Sequence, residues 1–261
     1  MGIINITSDS FYAGSRAPSL DAVCTLAEKH VRHGAQFLDI GAASSRPGAG
    51  LSNPEEEWAR LNGVFSQLRK EYPEVYLSVD TYWASVAKNS IYDGADMVND
   101  ISAGSFDAEL LTTVAQMRVP YILMHMQGNP QTMQMNPQYI NVTAEVQYYL
   151  AQKQKELFSL GCSDVLLDPG FGFGKTLEHN YSLLNNLSEL RRLKAPLVVG
   201  VSRKSMITKL LNISAVDALN GTTALHTIAL MQGANILRVH DAAEASQCIS
   251  IFEAYQNGDN R

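Results

Sequence analysis

Three segments of this chain repeat one phrase, and that phrase limits the possible folds more than any other feature. Gly34-Ala35-Gln36-Phe37-Leu38-Asp39-Ile40, Gly94-Ala95-Asp96-Met97-Val98-Asn99-Asp100 and Gly233-Ala234-Asn235-Ile236-Leu237-Arg238-Val239-His240 each read as a helix-ending glycine, then a short buried strand finishing in a polar residue. Further apolar runs fit the same plan: Ile3 to Ile6, Val75 to Val79, Tyr121 to Met124, Val165 to Leu167, and Leu197 to Val201, which gives eight strands. Between the strands, apolar residues recur at helical spacing, as in Leu20, Val23, Cys24, Ala27 and Val31, or Val142, Val146, Leu150 and Leu157. Asn53-Pro54-Glu55-Glu56 supplies an N-cap, a proline at the first helical position and an acid at the third. Asp241-Ala242-Ala243-Glu244 has the spacing of a capping box.

Strand and helix therefore alternate from end to end, with no linker or shift of composition. Eight such units in 261 residues predict an α/β fold, a (β/α)8 TIM barrel, as a single domain over 1–261. The alternative is a doubly wound open sheet, which the missing glycine fingerprint of that fold disfavours.

A formal charge of -6 gives no general attraction for nucleic acid or an anionic membrane, so an anionic ligand needs locally placed cations. There is no apolar run of roughly 18 residues and no signal peptide. Cys24, Cys162 and Cys248 have neither metal-site spacing nor an even count for disulfides, so they point to a reducing compartment. The expectation is a cytoplasmic protein with no nucleic-acid or membrane partner. His30 and His33 read as a solvated pair near a helix C-terminus. Of Met124, Met126, Met133 and Met135, the last three read as loop packing.

In a TIM barrel the active site lies at the C-terminal ends of the strands. Here those ends present Asn5, Asp39, Asp80, Asn99, His125, Asp168, Ser202, and Arg238 with His240. One polar residue at a strand end commonly just meets solvent. Eight ends in register predict a site. Asp80 and Asp168, with Asn99 between them, suit a flat heterocycle carrying adjacent N–H and NH2 donors, because a carboxylate accepts both at once. The rest of the ring is cationic. Ser202 is expected to cap a helix after strand 7, whose N-terminus attracts anions. Arg238 and His240 end strand 8, and Ser44-Ser45-Arg46-Pro47-Gly48 follows strand 2. Phosphate or diphosphate is the expected guest of this half, placed opposite the acidic one. Arg203 is expected either at this rim or paired with a neighbouring carboxylate, and is not counted as a ligand.

The stretch Leu166-Leu167-Asp168-Pro169-Gly170-Phe171-Gly172-Phe173-Gly174-Lys175-Thr176 imitates two nucleotide motifs and satisfies neither. Pro169 stands where a P-loop needs its first glycine, and Lys175 where a dinucleotide fingerprint needs its last.

Together these stretches resemble the dihydropteroate synthase family, pterin-binding TIM-barrel enzymes of folate biosynthesis. The resemblance rests on Met1-Gly2-Ile3-Ile4-Asn5-Ile6-Thr7-Ser8-Asp9-Ser10-Phe11, Asp39-Ile40-Gly41 through Gly48, Ser78-Val79-Asp80-Thr81, Asn99-Asp100-Ile101, Leu123-Met124-His125, Asp168 through Lys175, Ser202-Arg203-Lys204-Ser205 and Arg238-Val239-His240-Asp241. It implies condensation of p-aminobenzoate with 6-hydroxymethyl-7,8-dihydropterin diphosphate, giving 7,8-dihydropteroate and pyrophosphate.

The roles it implies are residue-specific. Asp80, Asn99 and Asp168 would read the pterin's amino and ring N–H edge, Lys204 its carbonyl side, and Met124 with Ile101 would sandwich its face. Asn5 would hold Mg2+ on the leaving diphosphate, gripped also by Ser45, Arg46, Arg238 and His240. Phe11, Pro47, Phe173 and Ser205 would shape the p-aminobenzoate pocket. The implied catalytic group is Asp80, Asp168, Lys204, Arg238 and His240, in a homodimer. Diphosphate would leave first, and the arylamine would attack the resulting pterin methyl cation, with no side-chain nucleophile.

The chain departs from the family at Ser45, commonly Thr, and at Ala43, Ser8 and Ala13, which replace a glutamate, a proline and an acid. It starts directly at the first strand, so a short preceding segment is expected to be missing. Two other readings stay open: a folate-binding methyltransferase barrel, which handles no diphosphate, and a non-catalytic pterin-binding module.

Overall fold

The computed structural model describes residues 1–6, 20–43 and 51–258. Its strands are β1 (Gly2–Asn5), β2 (Phe37–Gly41), β3 (Tyr76–Asp80), β4 (Met97–Asp100), β5 (Tyr121–Met124), β6 (Val165–Asp168), β7 (Val198–Val199) and β8 (Ile236–Leu237). Strands β1 to β6 pair in chain order, all parallel, and β7 pairs with β8. Two isolated bridges, Leu167 with Leu197 and Gly2 with Val239, join the two groups into a closed barrel. Backbone hydrogen bonds across these seams are 2.8–2.9 Å, from Leu167 N to Pro196 O, Ile3 N to Val239 O and Val239 N to Met1 O. Closure removes the free sheet edges that an open doubly wound sheet would show.

Strands 7 and 8 are shorter than their apolar runs predict, for a local reason. Asn235 inserts its amide oxygen, which accepts from Leu197 N at 2.9 Å, while Leu197 O accepts from both Asn235 N and Ile236 N. A side chain thus replaces a rung of the ladder.

Helices α1 (Leu20–Arg32), α2 (Pro54–Leu61), α3 (Val64–Glu71), α4 (Ala84–Tyr92), α5 (Leu110–Met117), α6 (Val142–Ser159), α7 (Leu177–Asn185), α8 (Ser205–Leu211), α9 (Leu219–Met231) and α10 (Ala242–Gly258) are connected to the strands between them, with a 3-10 turn at Leu187–Leu193. Gly34, Gly94 and Gly233 all take the left-handed conformation, with φ of 87°, 119° and 99°. Each stops a helix as the repeated phrase predicts. Asn53 caps α2 as expected, its Oδ1 accepting from Glu55 N and Glu56 N at 2.9 and 3.1 Å. The Asp241 carboxylate, expected in a capping box, is instead held by Arg203. None of the described helices is long and apolar enough to cross a membrane.

Successive strand residues alternate between the barrel's interior and the helix layer. Ile4, Leu38, Ile40, Leu77, Val79, Val98, Leu123 and Leu167 are buried in the main core. Met1, Met97, Ile122, Leu166 and Val198 form a separate cluster with Phe37 and Ile236, the apolar floor inside the barrel. Two residues beyond the floor, β2, β4, β6 and the end of β8 carry Asp39, Asn99, Asp168 and Arg238, which is where the site begins.

Two sequence expectations fail here. His30 is buried rather than solvated: its Nε2 lies 3.1 Å from Ile3 O, and its ring fills the space beside Gly2, where a Cβ would meet His30 Cγ at 2.5 Å. Burial holds its pKa below the ordinary value, so it acts as a neutral wedge between α1 and β1. His33 is exposed as expected. Met133 is buried in its loop, but Met135 faces solvent.

Candidate active site at the barrel mouth

The strand register lines up the polar residues. Gly41, Asp80 and Asn99 are neighbours on β2, β3 and β4, and Met124 pairs with Asp168 across β5 and β6. Asn99, Asp168 and His125 are buried, and Asp80 is partly buried.

The centre of the mouth is a guanidinium between carboxylates. Arg238 donates from Nε to Asp39 Oδ2 at 2.6 Å and from Nη2 to Asp80 Oδ2 at 2.7 Å. Asn99 Nδ2 donates to the same Asp39 oxygen at 2.9 Å. Sequence alone sets Arg238 in a cationic half opposite the acids. The structure corrects this, because Arg238 reaches across the closed barrel and lies among them. Burial works against the charge of Arg238, but Asp39 and Asp80 outweigh it and raise its pKa above the ordinary value. Burial pushes Asp80 up to about 7, opposed by Arg238 and assisted by Asp39 and Glu57. Asp168 is also raised by burial, against the pull of Lys204 and a hydrogen bond from Gly170 N at 2.7 Å.

Lys204 sits beside this group. Its Nζ donates to Phe171 O at 2.5 Å and lies 4.5 Å from the centroid of the Phe173 ring. Burial lowers its pKa to about 8, with Asp168 acting to raise it. Ile101, Met124 and Tyr82 form a buried apolar wall, with Phe173, Trp83, Phe106, Met126 and Ala43 packed against it. A flat ring system could lie against this wall with its polar edge toward Asp80, Asn99 and Asp168.

The strand 7 turn differs from its expected form. Ser202 does not cap α8: the N-cap position is Lys204, without a side-chain cap bond, and Ser202 Oγ lies 3.0 Å from His240 Nδ1. His240 is held below the ordinary histidine range by burial and the Arg238 guanidinium. At neutral pH it offers a hydrogen bond, not the positive charge expected of it. Arg203 takes the paired option, binding Asp241 through Nε at 2.7 Å and Nη2 at 3.0 Å. Asn5 and Ser205 are exposed at the ends of β1 and the strand 7 turn. Phe11, Ser45, Arg46 and Pro47 lie outside the described residues, as do Ser8 and Ala13.

The glycine-rich loop after β6 lies on the backbone of the β5 loop. Gly170 and Gly174 have φ of 70° and 63°, and a Cβ on either would stand 1.9 Å from His125 O or 2.5 Å from Gln127 O. Only glycine allows that approach. Lys175 turns inward and is buried, with its Nζ bound to His125 Nδ1, Gly170 O and Phe173 O at 2.9–3.1 Å. Sequence reading gave Lys175 no role beyond a failed motif. Its signal was a lysine closing a glycine run at a strand end.

Asp39 and Glu57 gain roles only in the folded chain. Glu57 is fully buried and accepts from Ser52 Oγ at 2.5 Å, while Tyr82 OH accepts from Ser52 N at 2.8 Å, tying the start of α2 to the apolar wall. Burial raises the pKa of Glu57.

A parallel barrel whose mouth joins three carboxylates, an amide, a lysine and an arginine beside an apolar wall has the form of a barrel enzyme site suited to a flat, donor-rich ring. Residues 1–240 match the family model described as pterin binding enzyme. The chain is 43% identical over 256 residues to the dihydropteroate synthase of Escherichia coli (strain K12), covering 97% of this chain and 90% of the relative. The Yersinia pestis dihydropteroate synthase structure with a sulfonamide drug complex superposes with a TM-score of 0.93 at 40% identity, covering 98% of this chain and 93% of the other. The Xanthomonas albilineans dihydropteroate synthase in complex with 7,8-dihydropteroate gives 0.88 at 34% identity, with 98% and 92% covered. The chain belongs to the dihydropteroate synthase family of pterin-binding enzymes.

Proposed function

We infer that the mouth binds 6-hydroxymethyl-7,8-dihydropterin diphosphate, with Asp80, Asn99 and Asp168 on the pterin's donor edge, Lys204 on its carbonyl side and Ile101 with Met124 against its face. The protein is a transferase of folate biosynthesis that condenses this substrate with p-aminobenzoate, giving 7,8-dihydropteroate and pyrophosphate. One observation supports the residue assignment above all: Asp80, Asn99, Asp168, Lys204 and Arg238 come from five strands or strand turns, yet form one connected electrostatic group.

The chemistry follows from that group. The bond between the pterin methylene and the diphosphate oxygen breaks first, and its electron pair leaves with the diphosphate. Positive charge spreads over the pterin ring, where Asp80 and Asp168 stabilise it at close range. Arg238 uses Nε and Nη2 on carboxylates, and its Nη1 has no hydrogen-bond partner among the described residues, so it is our candidate for the leaving group. His240 adds a neutral hydrogen bond there, and Ser45 and Arg46 are assigned to the same task. The arylamine nitrogen then attacks the methylene and releases a proton. Phe11, Pro47, Phe173 and Ser205 are assigned to hold that amine in place, so the second step becomes effectively unimolecular.

Asn5, exposed at the end of β1, is the residue we assign to Mg2+ on the diphosphate. Among the described residues no group of three or more His, Cys, Asp and Glu side chains could hold a metal. A single amide oxygen fits an ion that keeps waters and substrate oxygens as most of its ligands. When bound, Mg2+ neutralises charge on the departing diphosphate.

The deciding experiment is pyrophosphate release with pterin diphosphate, p-aminobenzoate and Mg2+, each omitted in turn. Tight pterin binding without pyrophosphate at any Mg2+ concentration would reduce the protein to a binding module. We also assign it to the cytoplasm as a homodimer, and sedimentation at assay concentration tests the dimer.

A further inference from the structure

The loop after β6 contains no helix or strand, yet its carbonyls are systematically taken by side chains. Lys175 Nζ donates to Gly170 O and Phe173 O at 2.9 and 3.1 Å, Lys204 Nζ to Phe171 O at 2.5 Å, Gln134 Nε2 to Gly172 O at 2.6 Å, and Tyr139 OH to Gly174 O at 2.8 Å. Five consecutive carbonyls thus each accept from one of four side chains. Lys175 alone serves two of them and also reaches outside the loop, to His125 Nδ1 on β5's end at 3.0 Å. It links the loop's internal turn, which Phe173 N also closes onto Gly170 O at 3.1 Å, to the loop's seat on the barrel. Phe173, whose carbonyl it holds, carries the ring over which Lys204 lies.

We propose that Lys175 is a positioning residue for the arylamine half of the reaction: its Nζ sets the place of the Phe173 ring and, through Phe171 and Phe173, the seat of Lys204. The proposal rests on the functional reading above for its kinetic consequence, but not for its structural one. A lysine buried merely to fill space would snorkel or be replaced by an apolar side chain. This one is buried with two carbonyl acceptors and the His125 ring nitrogen within hydrogen-bond reach.

The structural consequence is read by NMR. In the wild type, the Lys204 ε-methylene protons are expected to carry an upfield ring-current shift from Phe173. Lys175→Met keeps the stem and removes the donors, and it should abolish that shift. Persistence of the shift in a folded Lys175→Met overturns the proposal, whatever the protein's activity. If Lys175→Met does not fold, Lys175→Gln supplies an amide NH2 for up to two of the carbonyls, and it should reduce the shift partially; an unchanged shift again overturns the proposal.

The kinetic consequence is a split between substrates. Lys175→Met should raise KM for p-aminobenzoate at least tenfold while changing the affinity for pterin diphosphate less than threefold. In a Phe173→Ala background the same change should add less than a further twofold, because the ring it positions is gone. Equal losses for both substrates, or full additivity with Phe173→Ala, count against it. A wild type that releases no pyrophosphate refutes the synthase reading and leaves the NMR result to decide on Lys175.

Discussion

Arg238 Nε lies 2.6 Å from Asp39 Oδ2, and the same oxygen accepts Asn99 Nδ2 at 2.9 Å. One fully buried carboxylate therefore aims a residue assigned to the diphosphate and a residue assigned to the pterin edge. Asp39→Asn should loosen both, lowering affinity for pterin diphosphate at least tenfold. It also leaves a partly buried guanidinium with one carboxylate partner in place of two, which should cost about 1–3 kcal/mol, less than the loss of a fully buried pair. Calorimetric titration and urea unfolding of the same variant measure the two effects, and unchanged affinity would contradict the positioning role.

Arg238→Ala separates charge recognition from ring recognition. Affinity for the diphosphate-bearing pterin should fall at least ten times more than affinity for the free pterin. Equal losses would assign Arg238 to the ring or to the fold alone. Arg238→Lys, which keeps one charge near Asp39 and Asp80, guards against the case in which alanine unfolds the mouth.

Asp168→Asn keeps an acceptor for Gly170 N, which now bonds Asp168 Oδ1 at 2.7 Å. The loop should therefore survive. Pterin binding should not, because an amide cannot accept two adjacent donors as a carboxylate does. The expected result is loss of at least a hundredfold in pterin affinity with a nearly unchanged thermal midpoint.

Gly170→Ala forces a Cβ to within 1.9 Å of His125 O at a φ of +70°. Neither backbone can yield cheaply, so a loss of about 3 kcal/mol or more in unfolding free energy is expected. A destabilisation below about 1 kcal/mol would mean that the loop does not rest on β5 as described.

Lys175 predicts a pH dependence of stability. Burial lowers its pKa from 10.5 to about 7, opposed by Asp168 and assisted by Lys204. Between those values the unfolded chain holds a proton that the folded chain has lost, so this contribution to stability rises with pH across the window and its cost is complete below about 7. Lys175→Met has no such proton. From pH 7 to pH 9 the wild type should gain about 1–3 kcal/mol on the variant in denaturant unfolding, and a flat difference would show that the Lys175 amine is not desolvated as described.

The sequence carried the barrel because its punctuation is local. Three left-handed glycines and the polar residue ending each strand are readable from neighbours in the chain, and Asp80, Asn99 and Asp168 are where that pattern predicts. What it hid depends on closure. The partner of Arg238 is 199 residues away, at Asp39, and no spacing rule joins them. Ser202 reads as a cap in sequence, but α8 begins only at Ser205, and His30 reads as solvated because the glycine that admits its ring is on another element. Lys175 falls at the end of a glycine run that resembles a nucleotide motif, yet its meaning lies in the carbonyls it satisfies, which only the folded loop brings together.

Gly34, Gly94 and Gly233 end their helices at the far side of the barrel from the mouth, and each sets the phase in which the next strand enters. The orientation of Asp39, Asn99 and Arg238 is thus decided before the chain reaches the reactive end. Loops grafted from a relative onto the upper rim should leave those three side chains pointing inward, whereas one residue inserted after any of the three glycines would turn its strand over and hand the pocket an aliphatic residue instead.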